Sequence, residues 1–419
     1  MRLCRRASSS QGTPPCSAAR LRASPLDPCC TSMLSPVTRL FSWRRGSMRA
    51  LRWHRIFTVC WVFPLFSLMT LWNNLWLGVD WLIFPKFRRQ QVVQPVFVVS
   101  LPRTGTTNLL HGLTDSGMPF TALALWESLL APSVVQKKVL RLAWRVMPTP
   151  MQNLVRCADR RLLDKLNAIH KVSLFSQEED ELALMWSWST AYMAFFYPES
   201  EVFRDVCRFD AEVSERRKAR IMRRYKRLVQ RHLHALPQGH GLRFMAKNPL
   251  MASKVQALST AFPDARAVVI DRDPRRVLPS SEVLLKHLLT FSTDVPLQKA
   301  AREEFFLLLE DFQHHLHHTL ATQAVMPTVV VPFDQLIRDR YATLGALVGI
   351  LGEQMGSFTP PQKDDGHHTA ARYTPWTSEE LDGVLTRPWP MWPDAMCLQH
   401  EPAQAPNTAE SQDPATPRG

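Results

Sequence analysis

The stretch VFVVSLPRTGTTNLL, Val96 to Leu110, constrains this 419-residue chain more than any other. Four strand-forming residues, Val96 to Val99, give way to a proline-led loop with one glycine, and an apolar run resumes at Leu109. A continuous apolar run before a turn suits a strand buried on both faces of a parallel sheet. Beyond Pro102, the backbone N–H groups and hydroxyls of Thr104, Gly105, Thr106 and Thr107 fall at the expected start of a helix that Asn108 continues. That geometry binds anions. An ordinary strand-to-helix turn capped by threonine is the plainer alternative. The nucleoside-triphosphate loop G-x-x-x-x-G-K-[ST] does not fit: with Gly105 as its second glycine, its first falls on Ser100 and its lysine on Thr106.

Downstream, strand and helix patterns alternate. Residues 209–236 carry Ile221, Tyr225, Leu228, Val229 and Leu233 at helical spacing between Arg and Lys, a helix with a solvated basic face. Strands are expected at 242–247, 265–273 and 327–333, and helices at 254–262, about 296–322 and 341–352. This order argues for an α/β fold, a parallel central sheet flanked by helices. From residue 358 to 419 the chain is rich in Pro, His, Ser and acids and is expected to be a disordered tail. The remaining divisions are a basic arm at 1–55, a membrane-associated segment at 56–90 and the α/β domain at 91–357.

The net charge of +14 is unevenly placed: residues 1–90 hold fourteen Lys and Arg against two acids, and so twelve of the fourteen net charges. The body is nearly neutral, which excludes a sequence-wide nucleic-acid surface. From Ile56 to Val79 no residue is charged, and these 24 residues exceed the roughly 20 that cross a bilayer. Pro64 and Asn73-Asn74 interrupt the run, and WLIFPKFRR after Asp80 reads as interfacial. Residues 56–85 are therefore expected to span a membrane, with a surface helix or a helix packed on the domain as alternatives. Positive charge is heavier before the segment, which places the domain in a Golgi-like lumen. The Arg- and Ser-rich residues 1–55 also fit an organelle-targeting peptide. No C-x-x-C spacing occurs; Cys157 and Cys207 are read as buried thiols or a lumenal pair. His314, His315, His317 and His318 share one helical stretch and read as a solvated face, so no metal is expected. Nothing in the sequence fixes an oligomeric state.

A second stretch, AVVIDRDPRRVLPSS from Ala267 to Ser281, ends a strand on Asp271, sets Arg272 at its mouth and Ser280 eight residues later. Two phosphate-binding side chains at a strand's carboxyl end suit a crevice site. Asp271 and Asp273 are alternative partners for Arg272.

Together, PRTGTT at 102–107 and RDPRRVLPS at 272–280 resemble the 5′-phosphosulfate loop and the 3′-phosphate motif of sulfotransferases, in the same order and about 170 residues apart. FPKFRRQ, ALWE, QEEDELAL and KNPLMASKVQALSTAFPDARAVVIDRDP extend the resemblance over about residues 82–350, to the third-type branch of the P-loop sulfotransferase family. It implies transfer of a sulfuryl group from 3′-phosphoadenosine 5′-phosphosulfate (PAPS) to an acceptor hydroxyl, with carbohydrate and glycolipid among the compatible acceptors. It implies Arg103 against the bridging oxygen, Thr104, Gly105, Thr106, Thr107 and Asn108 around the 5′-phosphosulfate, Lys247 on the sulfuryl oxygens, and Arg272 and Ser280 on the 3′-phosphate. Many cytosolic members place a histidine base after a Lys-x motif, but here Lys247-Asn248-Pro249 has none nearby. The expected base therefore moves to Glu127 in LALWESLL, a carboxylate whose pKa desolvation beside Trp126 is expected to raise. Glu178 to Glu181 reads as a solvated or structural acidic face. The family's Gly-rich donor segment has no counterpart in HTAARYTPWTSEE. Another P-loop transferase, such as a small-molecule kinase, and an inactive binding protein of the same fold are the alternatives.

Overall fold

The computed structural model describes residues 52–167, 173–195, 207–237, 241–290, 293–353, 358–359 and 373–398. All but the last few residues of the expected basic arm lie outside this set. Strands β1 (Val96–Val98), β2 (Phe120–Thr121), β3 (Arg243–Lys247), β4 (Arg266–Asp271) and β5 (Thr328–Pro332) form one sheet in the order β2-β3-β1-β4-β5. Every pairing is parallel. Val96 of β1 sits beside Met245 on one side and Arg266 on the other, and the ladder runs on where the Val99 amide donates to the Val268 carbonyl at 3.0 Å.

The helices used below are α1 (Trp53–Ile83), α2 (Thr106–Thr114), α3 (Leu125–Leu129), α4 (Val134–Val146) and α5 (Thr149–Asn167). They are followed by α6 (Glu215–Ala235), α7 (Val255–Ala261), α8 (Pro274–Leu289), α9 (Lys299–His317) and α10 (Arg340–Ile350). Alternate strand residues point to opposite faces. Phe97, Phe244 and Val269 face one core with Tyr225 and Leu228 of α6, Leu258 of α7 and Leu309 of α9. Val98, Met245 and Val268 face the other with Leu109 and Leu113 of α2 and Leu344 and Leu347 of α10. From β1 the chain runs to one side of the sheet, returns as β3, then crosses to β4 on the other side. The carboxyl ends of β1 and β4 therefore flank a topological switch point, the place where open α/β sheets bind ligands.

The apolar helix α1 is long and apolar enough to cross a membrane by length and composition. Its carboxyl-terminal half is joined to the domain. Asp80, fully buried, accepts from Ser133 Oγ at 3.0 Å and from the Val134 and Val135 amides, which caps α4, and pairs with Arg231 Nε at 2.7 Å. Asn73 donates to the Leu129 carbonyl and accepts from Gln136.

The expected disordered tail is corrected over residues 373–398. Trp392 and Leu398 are buried, the Leu398 amide donates to the Val330 carbonyl at 2.7 Å, and Thr386 and Arg387 bond to Glu310 of α9. The Pro-rich composition hides enough tryptophan and leucine to bury against the sheet and α9. Residues 360–372 and 399–419 of that tail lie outside the described set. The histidine stretch is not simply solvated either: His315 Nε2 lies 2.9 Å from Asp210 Oδ2 and His317 contacts the Met391 carbonyl. Cys157 and Cys207 are free thiols, with burial pushing Cys207 up to about 11.

Candidate active site

The loop after β1 turns back on itself through two left-handed residues, Arg103 at φ 67° and Gly105 at φ 87°. A Cβ on Gly105 would stand 3.0 Å from the Phe333 ring, so the turn needs glycine both for its backbone angle and for the space. Arg103 carries the strain of a side-chain residue in that region, the kind of strain that collects at ligand-binding turns. Thr106 opens α2, leaving the amides of its first turn free of helical partners at the carboxyl end of β1. Thr104 is buried and its hydroxyl donates to the Leu101 carbonyl at 2.8 Å, so only its backbone is left for a ligand. Asn108 is half-buried, and its carbonyl accepts from Arg340 at 3.4 Å.

The two motifs meet here. Arg103 Nε donates to Ser280 Oγ at 3.1 Å across 177 residues of sequence. Arg272 donates to the Arg103 carbonyl and, at 2.8 Å, to Tyr373 Oη, while its guanidinium lies 4.1 Å above the Phe333 ring. Asp273, the carboxylate that competed for Arg272 on sequence grounds, is taken by Arg275 at 2.6 Å and caps α8. Among the described residues neither Arg103 nor Arg272 has a carboxylate within ion-pair distance. Burial lowers both guanidinium pKa values, and Arg272 lowers that of Arg103 further. The Arg272 Nε–H is buried with no acceptor. Two converging cations, one with a donor to spare, are stabilised by an anion placed between them.

Lys247, at the end of β3, is buried and donates to Thr107 Oγ1 at 3.0 Å. Its Nζ stands 3.5 Å from Glu178 Oε2 and 3.5 Å from Glu179 Oε1, so the acidic run reaches the phosphate loop through one lysine. Glu178 is 6% exposed and Glu179 23%, and Tyr192 donates to Glu179 Oε2. The next two acids are structural. Asp180 accepts from Tyr225 and Asn248, Glu181 pairs with Lys254, and both are buried. Burial pushes Asp180 up to about 7 despite those two hydrogen bonds.

Glu127 stands apart from this group, and the expectation for it is reversed. Its carboxylate is 3% exposed, 2.7 Å from Arg141, 3.6 Å from Lys137 and 3.1 Å from His232 Nδ1, and it accepts from the Ala124 amide at the start of its own helix α3. Burial acts to raise its pKa, but Lys137, His232 and Arg141 outweigh burial and hold it well below the usual carboxylate range. A carboxylate so paired makes a poor proton acceptor and a good brace between α3, α4 and α6.

A family model described as Sulfotransferase family matches residues 95–356, well over half of the chain and both phosphate motifs. The chain belongs to the sulfotransferase family. No curated protein matches it at a significant level. Among solved structures, this sulfotransferase is similar to sulfotransferase STF1 from Mycobacterium tuberculosis H37Rv, with 20% identity, a TM-score of 0.55, and coverage of 70% of this chain and 77% of that one. It is also similar to sulfotransferase STF9 from Mycobacterium avium, with 18% identity, a TM-score of 0.57, and coverage of 75% and 81%. These likenesses show the fold.

Two residues of the candidate site escape sequence reasoning. Tyr373 reaches Arg272 from the segment HTAARYTPWTSEE, which has no Gly-rich motif, and Phe333 underlies both Arg272 and Gly105. The tyrosine inside HTAARYTPW was in plain view, but only the fold brings it to the mouth of β4.

Proposed function

We propose that this sulfotransferase moves the sulfuryl group of PAPS to a hydroxyl of an acceptor, a carbohydrate or glycolipid being the compatible class. The observation that carries this is the convergence of Ser280 with Arg103 and Arg272, two cations with no carboxylate within ion-pair distance among the described residues, at the mouth of β1 and β4. Arg272 and Ser280 bind the 3′-phosphate. The amides of Gly105, Thr106, Thr107 and Asn108 hold the 5′-phosphosulfate at the start of α2, with Thr104 contributing backbone alone. Arg103 stabilises the charge that develops on the departing phosphate oxygen and donates no proton to it. Lys247 steers the sulfuryl oxygens from beside Thr107. The acceptor oxygen attacks sulfur, the sulfur–oxygen bond to the phosphate breaks, 3′-phosphoadenosine 5′-phosphate leaves, and the acceptor proton passes to Glu179. Glu179 takes the role expected of Glu127 because it is the more exposed of the two carboxylates on Lys247, whereas Glu127 is sealed among cations.

The test is transfer from sulfur-labelled PAPS to pools of hydroxyl-bearing glycans and glycolipids, read by mass spectrometry for wild type and Glu179→Gln. Labelled product should form, and the variant should lose roughly a hundredfold or more in turnover with donor affinity retained. Transfer of phosphate from adenosine triphosphate, with none from PAPS, would establish the kinase reading instead.

A further inference from the structure

Helix α1 has two unlike sides. Phe66, Asn73, Leu77 and Asp80 recur at helical spacing and are buried against the domain, with Arg55 and Val59 continuing the same seam toward the amino end. The polar members of its second half bond inside the protein: Asn73 to Leu129, Asn74 Nδ2 to the Trp186 carbonyl at 3.0 Å, and Asp80 to Arg231. At the far end Arg52 pairs with Asp294 at 3.0 Å, just beyond α8. The helix, about 45 Å long at 1.5 Å per residue, is thus held to the domain at both ends. On its outer side, Trp61, Leu65, Leu68, Trp72 and Leu75 recur every three or four residues, Leu82 follows two turns on, and all are exposed, Leu82 to 84%.

The two helices α4 and α5 repeat the pattern. α4, whose first turn Asp80 caps, packs on α1. Val139, Leu142 and Val146 of α4 and Met151 and Leu154 of α5 leave their apolar side chains in the open, Val146 to 73%. Exposed Lys138, Arg145, Arg156 and Arg160 flank them. Residues 52–94 and 133–161 contain two acids, Asp80 and Asp159, and both are buried. An extended apolar surface with basic flanks and no exposed carboxylate complements one thing well, the boundary between acyl chains and anionic headgroups.

We propose that α1, α4 and α5 form one lipid-facing surface by which the protein lies in a single leaflet of an anionic bilayer, with α1 in the plane of the membrane and not across it. A helix that packs on the domain from Phe63 onward and is tied again at Arg52 has no free stretch of roughly 20 residues to thread through the hydrocarbon, and threading it strips Asn73, Asn74 and Asp80 of their partners. This differs from the lumenal placement that charge asymmetry suggests, because both ends of the chain then stay on one side.

The full-length chain, tagged at each terminus, is synthesised with sealed vesicles of phosphatidylcholine containing about 30% phosphatidylserine and treated with protease without detergent. Loss of both tags, with the protein floating on the vesicles, is the expected result; protection of either tag means that α1 spans and overturns the proposal. Leu142→Glu with Val146→Glu changes exposed positions only. It should keep the wild-type melting temperature and lower vesicle binding by roughly tenfold or more. Unchanged vesicle binding by this variant removes α4–α5 from the surface. Vesicle binding that is indifferent to phosphatidylserine removes the charge complementarity, and a stable oligomer that buries these residues and ignores vesicles assigns the face to a second copy.

Discussion

Removal of the Arg272 side chain tests the 3′-phosphate reading most directly. The guanidinium has three engagements in the structure: the Arg103 carbonyl, Tyr373 Oη at 2.8 Å and the Phe333 ring at 4.1 Å. Its buried Nε–H has none, so the guanidinium keeps a donor that no protein group satisfies. A charge-assisted hydrogen bond from the guanidinium to a phosphate contributes about 1.5 to 3 kcal/mol. Arg272→Ala should therefore weaken binding of 3′-phosphoadenosine 5′-phosphate by roughly ten- to 150-fold. The loop also loses its tie at the Arg103 carbonyl, but that loss is common to any nucleotide bound there and cancels in a cycle. Calorimetric titration of wild type and variant, each with 3′-phosphoadenosine 5′-phosphate and with adenosine 5′-phosphate, completes the four corners. Equal losses for the two nucleotides would refute the assignment and leave Arg272 as a brace for the loop.

Two further outcomes separate structural acids from working ones. Glu127→Gln leaves Lys137, Arg141 and His232 facing a neutral amide, a break in a buried pair that costs about 3 to 5 kcal/mol; because burial already brings Lys137 down to about 8, it can shed its proton and hold the loss near the lower figure. Chemical denaturation should show that loss while turnover per folded molecule stays within about twofold, and a hundredfold fall in turnover at unchanged stability would return the base role to Glu127. Asp180, raised to about 7 by burial, keeps a proton between pH 4 and 7 that the unfolded chain has released, so wild-type stability declines as pH rises through that window. Asp180→Asn should remove that decline and gain on the wild type by up to about 4 kcal/mol between pH 4 and 8; parallel stability profiles for the two proteins would show that Asp180 ionises normally.

What could be read in advance followed the reach of each signal. β1, β4 and β5 are short runs rich in β-branched residues, β3 is a short run around Phe244, Met245 and Ala246, and both motifs of the candidate site are contiguous, so residue order alone located them within a few positions. The two-residue strand β2, Phe120–Thr121, has no periodicity to detect. Helices α4 and α5 mix basic and apolar residues with an exposed stripe, and a core-seeking pattern passes over them. Glu127 shows a different limit. Its neighbour Trp126 suggested desolvation and a raised pKa, but the charges that decide its state come from Lys137, Arg141 and His232, and the farthest lies on α6. Local sequence gives the burial of a carboxylate more readily than the cations folded around it. The same holds for Tyr373, which finds Arg272 across 101 residues.

The carboxylate of Asp80 also decides where a trimmed, water-soluble form of this enzyme can begin. A cut at residue 90, where the apolar run ends and the charged residues resume, looks natural on hydropathy but discards Asp80 along with the Leu77 carbonyl that accepts from Arg231 at 2.9 Å. What remains is a guanidinium sealed in the interior with no anion and an α4 whose first amides have lost their cap. Against a total stability of about 5 to 15 kcal/mol, an orphaned buried charge of about 3 to 5 kcal/mol plus a lost cap of about 1 kcal/mol is enough to turn a folded enzyme into an aggregate. A start just before Asn73 keeps both polar ties and sheds the first twenty residues of the helix; the catalytic unit therefore begins inside the apolar helix and not after it.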